Sequence, residues 1–97
     1  MILEVAILNV RAGECDAFEA AFREASAIIA SMSGYHAHEL RRCLEDSCRY
    51  ILLVHWQRLE DHIVGFRLSA EYQRWRTLLH HFYDPFPTVE HYGEALR

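Results

Sequence analysis

Two pairs of side chains in the second half of the chain stand four residues apart, the spacing that makes neighbours on one helix face: His62 with Phe66, and Arg76 with His80. Histidine is the side chain whose unperturbed pKa lies nearest neutrality, so His80 could serve as a general base. The planar guanidinium of Arg76 could hold an enolate or a carboxylate beside it. The plainer reading carries more weight on this ground: His and Arg at a helix end form a solvated face that offsets the macrodipole. Nearer the start, Asn9 shares its strand parity with Leu3, Val5 and Ile7, so an amide points where its neighbours are apolar. It either meets a ligand or bonds a local turn at the strand's end.

Seven histidines invite a metal reading. If Cys43 opposes Cys48 across a hairpin, then His36 opposes His55, and His38 follows on the same face. Three imidazoles would suit zinc or copper. That register is assumed, a one-residue slip scatters the three, and no carboxylate completes the set. No metal site is expected, and in a reducing cytosol the cysteines are expected to remain thiols.

These residues need elements to hold them. Ile2 to Arg11 is rich in β-branched and aliphatic residues and stops at Ala12-Gly13, which favours a strand covered on both faces. From Glu14 the period changes: Phe18, Phe22, Ala25, Ile29 and Met32 recur at steps of three and four, a helical stripe that ends at Gly34. Tyr35 to Leu44 and Arg49 to Gln57 read as strands joined by Glu45-Asp46-Ser47 into an antiparallel hairpin. Leu59 to Leu68 reads as a short helix, and Ser69 as the N-cap of another. On that helix Tyr72, Trp75, Leu79 and Phe82 form one stripe, which assigns Trp75 to the core sooner than to a site. Trp56, at a strand end, suits either role. The run His80 to Tyr92, HHFYDPFPTVEHY, then breaks the helix at its two prolines. So many rings argue for an ordered tail, and Thr88 to Tyr92 reads as a last strand.

The order β-α-β-β-α-β is the ferredoxin-like α+β pattern, a four-stranded antiparallel sheet in one domain spanning residues 1–97. Helices cover one face of such a sheet. Leu52, Val54 and Trp56 set against Ile51 and Leu53 give apolar residues at both parities, so the second face is expected to pack on an identical sheet in a homodimer.

Composition excludes several classes. All ten basic residues are arginine, which leaves no Schiff-base or P-loop lysine. A net charge of −4 with scattered arginines argues against nucleic acid. The start MILEVAILNV does not read as a signal peptide, and no apolar run approaches the ~20 residues of a membrane span. A cytoplasmic protein with no membrane partner is expected.

The segments ILEVAILNV, AFEAAF, RYILLVHW and LEDHIVGFRLSAEYQRWRTLLHHFYDPFPTVEHY together resemble the antibiotic biosynthesis monooxygenase domain over nearly the whole chain. The resemblance implies a dimeric α+β barrel with a pocket between the helices and the sheet of each subunit. Some members of that family oxidise polyphenolic polyketides with dioxygen and no cofactor, others bind and degrade haem, and many have no known activity. The haem-degrading relatives use a strand Asn, a helix Trp and a helix His. Asn9 fits the first, but Phe66 stands where the Trp belongs and Arg76 where the axial His belongs, so haem degradation is not expected. Oxygenation without a cofactor needs a bound phenol or enol, removal of a proton, a stabilised anion and the exclusion of water. The expected catalytic set is Asn9, Arg76 and His80, and the expected pocket is Trp56, His62, Phe66, Tyr72 and Trp75, with no cofactor. The chain is thus expected to be a monooxygenase acting on a small aromatic or polyketide-like compound. The alternative is a dimeric binding or stress-related protein that uses the same pocket without turnover.

Overall fold

Alternation along the first strand decides which side chains face the helices. In the computed structural model, which describes residues 1–97, Glu4, Ala6, Leu8 and Val10 are buried while Leu3, Val5, Ile7 and Asn9 face the other way. Strand β1 (Ile2–Asn9) leads through a turn at Gly13 into helix α1 (Cys15–Ala30), which buries Phe18, Phe22, Ala25, Ile28 and Ile29 against the sheet. Strands β2 (Tyr35–Arg42) and β3 (Arg49–Trp56) form the hairpin. A π-helix (Asp61–Phe66), helix α2 (Ala70–Leu79), a 3-10 turn (His80–Phe82) and strand β4 (Val89–Tyr92) complete the chain. Ser69 caps α2 as expected, its hydroxyl accepting from the Tyr72 N–H at 3.1 Å.

The sheet order is β2-β3-β1-β4 with every neighbour antiparallel, the ferredoxin-like arrangement. Tyr50, Leu52, Val54 and Trp56 of β3 share the helix-covered face with the buried residues of β1, and all four are buried. Burial of each such side chain contributes about 1.5–3 kcal/mol. The opposite face, which no helix of the chain covers, carries Val5, Ile7, Ile51 and Leu53 at its centre, with Ile7 42% exposed. Polar pairs flank it: Glu39 with Arg41 on β2, and Glu90 with Tyr92 on β4.

Two expectations are corrected here. The segment Asp61–Phe66 winds as a π-helix, not as an ordinary helical turn. The β2–β3 register is also shifted by one residue: Cys43 opposes Arg49, its N–H donating to the Arg49 carbonyl at 2.8 Å, and a bulge lies between Tyr35 and Ala37. His38 therefore falls on the helix side, against Tyr35 Oη (2.5 Å) and Ser26 Oγ (3.3 Å). His55 sits on the opposite face across from Ala37, and His36 reaches Gln57. The conditional cluster of His36, His38 and His55 does not form. Cys48 meets Cys15 instead of Cys43, Sγ to Sγ at 3.3 Å.

After the 3-10 turn the chain crosses back to β1. Val10 forms an isolated bridge with Tyr83, Asp84 N–H donates to the Asn9 carbonyl at 2.8 Å, and Arg11 N–H donates to the Phe82 carbonyl at 2.9 Å. The Arg11 side chain adds bonds to the His81 and Tyr83 carbonyls and an ion pair with Asp84. These contacts hold the proline segment against the sheet and make it a wall.

Candidate functional site

Between the sheet and the π-helix–α2 layer lies a cavity of about 370 Å³, within the range of small-molecule sites. Its floor is Ala6, Leu8 and Leu52 of the sheet. Phe66, Tyr72 and Trp75 form one wall, with Phe66 set edge-on to both Tyr72 (5.2 Å) and Trp75 (5.5 Å). The crossing segment supplies the other wall through Tyr83, Phe86, Pro87 and Val89. Four polar side chains reach this apolar space: Glu4, His62, Arg67 and His80.

Glu4 is the least expected of these. It is 5% exposed, and its Oε1 accepts a hydrogen bond from Trp56 Nε1–H at 2.9 Å. His62 Nε2 approaches the same oxygen at 3.4 Å, and the imidazole stacks on the Trp56 ring at 5.5 Å and 18°. On its other side His62 Nδ1 lies 2.7 Å from Nε2 of His91, which sits directly across from Glu4 on β4. Burial raises the Glu4 carboxyl to about 6, the Trp56 bond and Arg67 opposing it only in part. Burial, with Arg67 and His91 adding to it, lowers His62 to about 3. Near neutral pH the centre is thus a carboxylate beside a neutral imidazole.

His80 stands at the far side, edge-on to Tyr72 (5.8 Å) and to Phe86 (5.0 Å). Burial lowers its pKa and the Arg76 charge lowers it further, which favours the neutral, proton-accepting form. Burial also pushes the Tyr83 hydroxyl well above the ordinary phenol range, with Tyr72 adding to it, so Tyr83 is a neutral hydrogen-bonding group.

The cavity brings together His62, Phe66, Tyr72, Trp75 and His80 of the expected residues. It does not bring in the other three. Trp56 is wholly buried behind Glu4 and acts as its hydrogen-bond donor. Arg76 is exposed and touches the site only through its charge on His80. Asn9 lies on the uncovered sheet face, its Oδ1 accepting from Arg49 Nε at 3.2 Å. The expectation that Asn9 belongs to the catalytic set beneath the helices is therefore corrected, because strand parity sends residue 9 to the other side. Glu4, Arg67, Tyr83 and His91 had not been singled out. One signal pointed to Glu4: it shares the parity of Ala6, Leu8 and Val10, an odd place for a carboxylate.

No group of three or more His, Cys, Asp or Glu side chains is arranged to hold a metal ion. His62 presents opposite nitrogens to Glu4 and His91, so one ion could not bind all three.

Comparison with known proteins agrees with this architecture. The sequence profile described as antibiotic biosynthesis monooxygenase matches residues 1–78. The uncharacterized protein YczJ of Bacillus subtilis (strain 168) is 53% identical over 95 residues, 98% of this chain and 100% of the relative. A Bordetella bronchiseptica crystal structure, of a protein named for the antibiotic biosynthesis monooxygenases, superposes with a TM-score of 0.92 at 35% identity, covering 98% of this chain and 97% of the other. SnoaB, a cofactor-independent oxygenase from Streptomyces nogalater, shares the fold with a TM-score of 0.74 at 20% identity, over 99% of this chain and 92% of its own. The chain belongs to the antibiotic biosynthesis monooxygenase family.

Proposed function

We propose that the chain is a cofactor-independent monooxygenase that oxidises a small, electron-rich phenolic or enolic ring compound with dioxygen. The observation that carries this reading is the cavity itself, a ring-walled space of about 370 Å³ into which Glu4, His62, Arg67 and His80 project. Aromatic walls suit a flat substrate, and their apolar lining excludes water from a reactive anion. The substrate loses a proton, its anion passes an electron to dioxygen, and the two radicals combine at carbon as a peroxide anion, which takes a proton back. Loss of water from the resulting hydroperoxide leaves a carbonyl. For an anthrone, one oxygen atom enters the product and the other leaves as water, with dioxygen the only oxidant. In this reading His80 and Tyr83, which line the cavity, orient the substrate's oxygens. Arg67, which lines the cavity where Arg76 does not, supplies the positive charge facing a developing enolate.

In this reading the protein works in the cytosol; no helix of the chain is long and apolar enough to cross a membrane. Two protomers pair through the uncovered faces of their sheets. The test is oxygen consumption by the pure protein with a panel of anthrones and hydroxyquinols, beside His80→Ala and Trp75→Ala variants. Consumption above the buffer rate that falls in both variants is expected. Tight binding of the same compounds with no consumption above buffer would make the protein a receptor instead of an enzyme.

A further inference from the structure

We propose that Glu4, His62 and His91 form a proton relay, in which Glu4 takes the substrate's acidic proton inside the cavity and the two imidazoles carry it out to solvent beside β4. The proposal rests on the monooxygenase reading of the cavity and assigns its proton path.

The geometry is continuous. Glu4 lines the cavity, and both of its contacts, from Trp56 and His62, fall on Oε1, so Oε2 is free to accept. His62 is 3% exposed and bridges inward to Glu4 with Nε2 and outward to His91 with Nδ1. His91 is only half-buried on the edge strand, which opens the far end of the path. The charged or titratable groups facing this path come from each element packed on it: Arg67 after the π-helix, His80 and Tyr83 across the cavity, with the indole N–H of Trp56 on β3 as a neutral donor.

A structural role alone explains the arrangement poorly. To hold the Trp56 N–H, a glutamine would serve without placing a charge in an apolar layer. No arginine pairs directly with Glu4, and the Arg67 charge offsets its burial only in part. Burial raises this carboxyl into the range where it can both accept and release a proton near neutrality.

The transfers balance. The proton leaving the substrate neutralises the Glu4 carboxylate. With the His62 proton on Nδ1, rotation of the protonated carboxyl brings its O–H to face His62 Nε2, which takes the proton and restores the Glu4 charge, while His62 releases the proton on Nδ1 to His91 Nε2. His91 gives its own Nδ1 proton to water. The net change is one proton moved from substrate to solvent, with both rings left as the opposite tautomers, to be reset before the next turnover.

The probe is 4-nitrophenol, whose anion absorbs visible light, titrated into the wild type, Glu4→Gln and His91→Ala. In the wild type the probe's hydroxyl is expected to donate to the Glu4 carboxylate, whose charge opposes formation of the phenolate; in Glu4→Gln the probe's apparent pKa should fall by about one unit or more. His91→Ala should leave this equilibrium unchanged. It should slow oxidation of the anthrone dithranol about tenfold or more, with free imidazole in the buffer restoring the rate. Probe that binds Glu4→Gln with unaltered ionisation, or dithranol oxidation at full rate in His91→Ala, overturns the relay and leaves the pocket reading standing. Failure of the wild type to bind the probe overturns the pocket reading and the relay with it.

Discussion

Replacing Glu4 by glutamine should make the protein more stable at pH 8, although it removes a buried hydrogen-bonded group. Free in water, the carboxyl titrates near 4.5; in the fold, burial raises it to about 6. The folded protein therefore binds more protons than the unfolded chain between these values, and stability falls as pH rises through that window. The difference corresponds to about 2 kcal/mol, fully felt above pH 6 and absent below 4.5. Glutamine keeps an acceptor for Trp56 Nε1–H and carries no charge, so the variant should gain up to about 2 kcal/mol at pH 8 and almost nothing at pH 4.5. His62 acts in the opposite sense. Its lowered pKa makes the wild type lose stability as pH falls from 6.5 towards 3, but the same loss occurs in the variant and cancels in the comparison. Urea unfolding followed by the fluorescence of Trp56 and Trp75, at several pH values and one protein concentration, measures the difference. A Glu4→Gln protein less stable than wild type at pH 8 would refute the reasoning, since the carboxylate would then be a net favourable partner of a protonated His62.

The uncovered sheet face gives a second expectation: Leu53→Arg or Ile7→Glu should halve the light-scattering mass while circular dichroism stays unchanged. Each side chain forfeits about 1.5–3 kcal/mol of burial, counted twice in a two-fold contact, and an unaltered mass would rule out pairing there. Gly34→Ala should destabilise by at least about 1–2 kcal/mol in denaturant titrations, because φ is +85° and the new Cβ would fall on the Asp61 side chain. Equal stability would mean the turn relaxes freely. A thiol oxidant such as diamide should join Cys15 to Cys48, removing two titratable thiols and stabilising the fold by about 2–4 kcal/mol. Cys48→Ser should abolish the product and Cys43→Ser should not; loss of the product in both variants would put Cys43 against Cys48 and refute the β2–β3 register.

Periodicity made most of the fold legible. The stripe Phe18–Phe22–Ala25–Ile29 and the set Tyr72–Trp75–Leu79–Phe82 depend only on local spacing, and each lies against the core as that spacing implies. The hairpin register was not legible, because the bulge after Tyr35 has no glycine or proline to announce it and moves every pairing from Ala37 onward by one. For the site, spacing along one helix located His62 with Phe66, and Tyr72 with Trp75. It could not locate the partners of Glu4, which arrive from β3, the π-helix and β4 across long stretches of chain. Arg67 and Arg76 show the same limit: both are exposed arginines on the helical segment, and only the direction of each turn decides which one borders the cavity.

Five of the fourteen residues around the cavity come after Leu78: His80, Tyr83, Phe86, Pro87 and Val89. They are tied down by a four-residue edge ladder and by the clasp of Arg11, while the sheet floor rests on the much longer β1–β3 pairing. Floor and wall can therefore diverge at different rates. Exchanges at Phe86 or Pro87 could recut the opening for a new guest without disturbing the scaffold, whereas a change at Ala6 or Leu52 must satisfy both the guest and the layer beneath it.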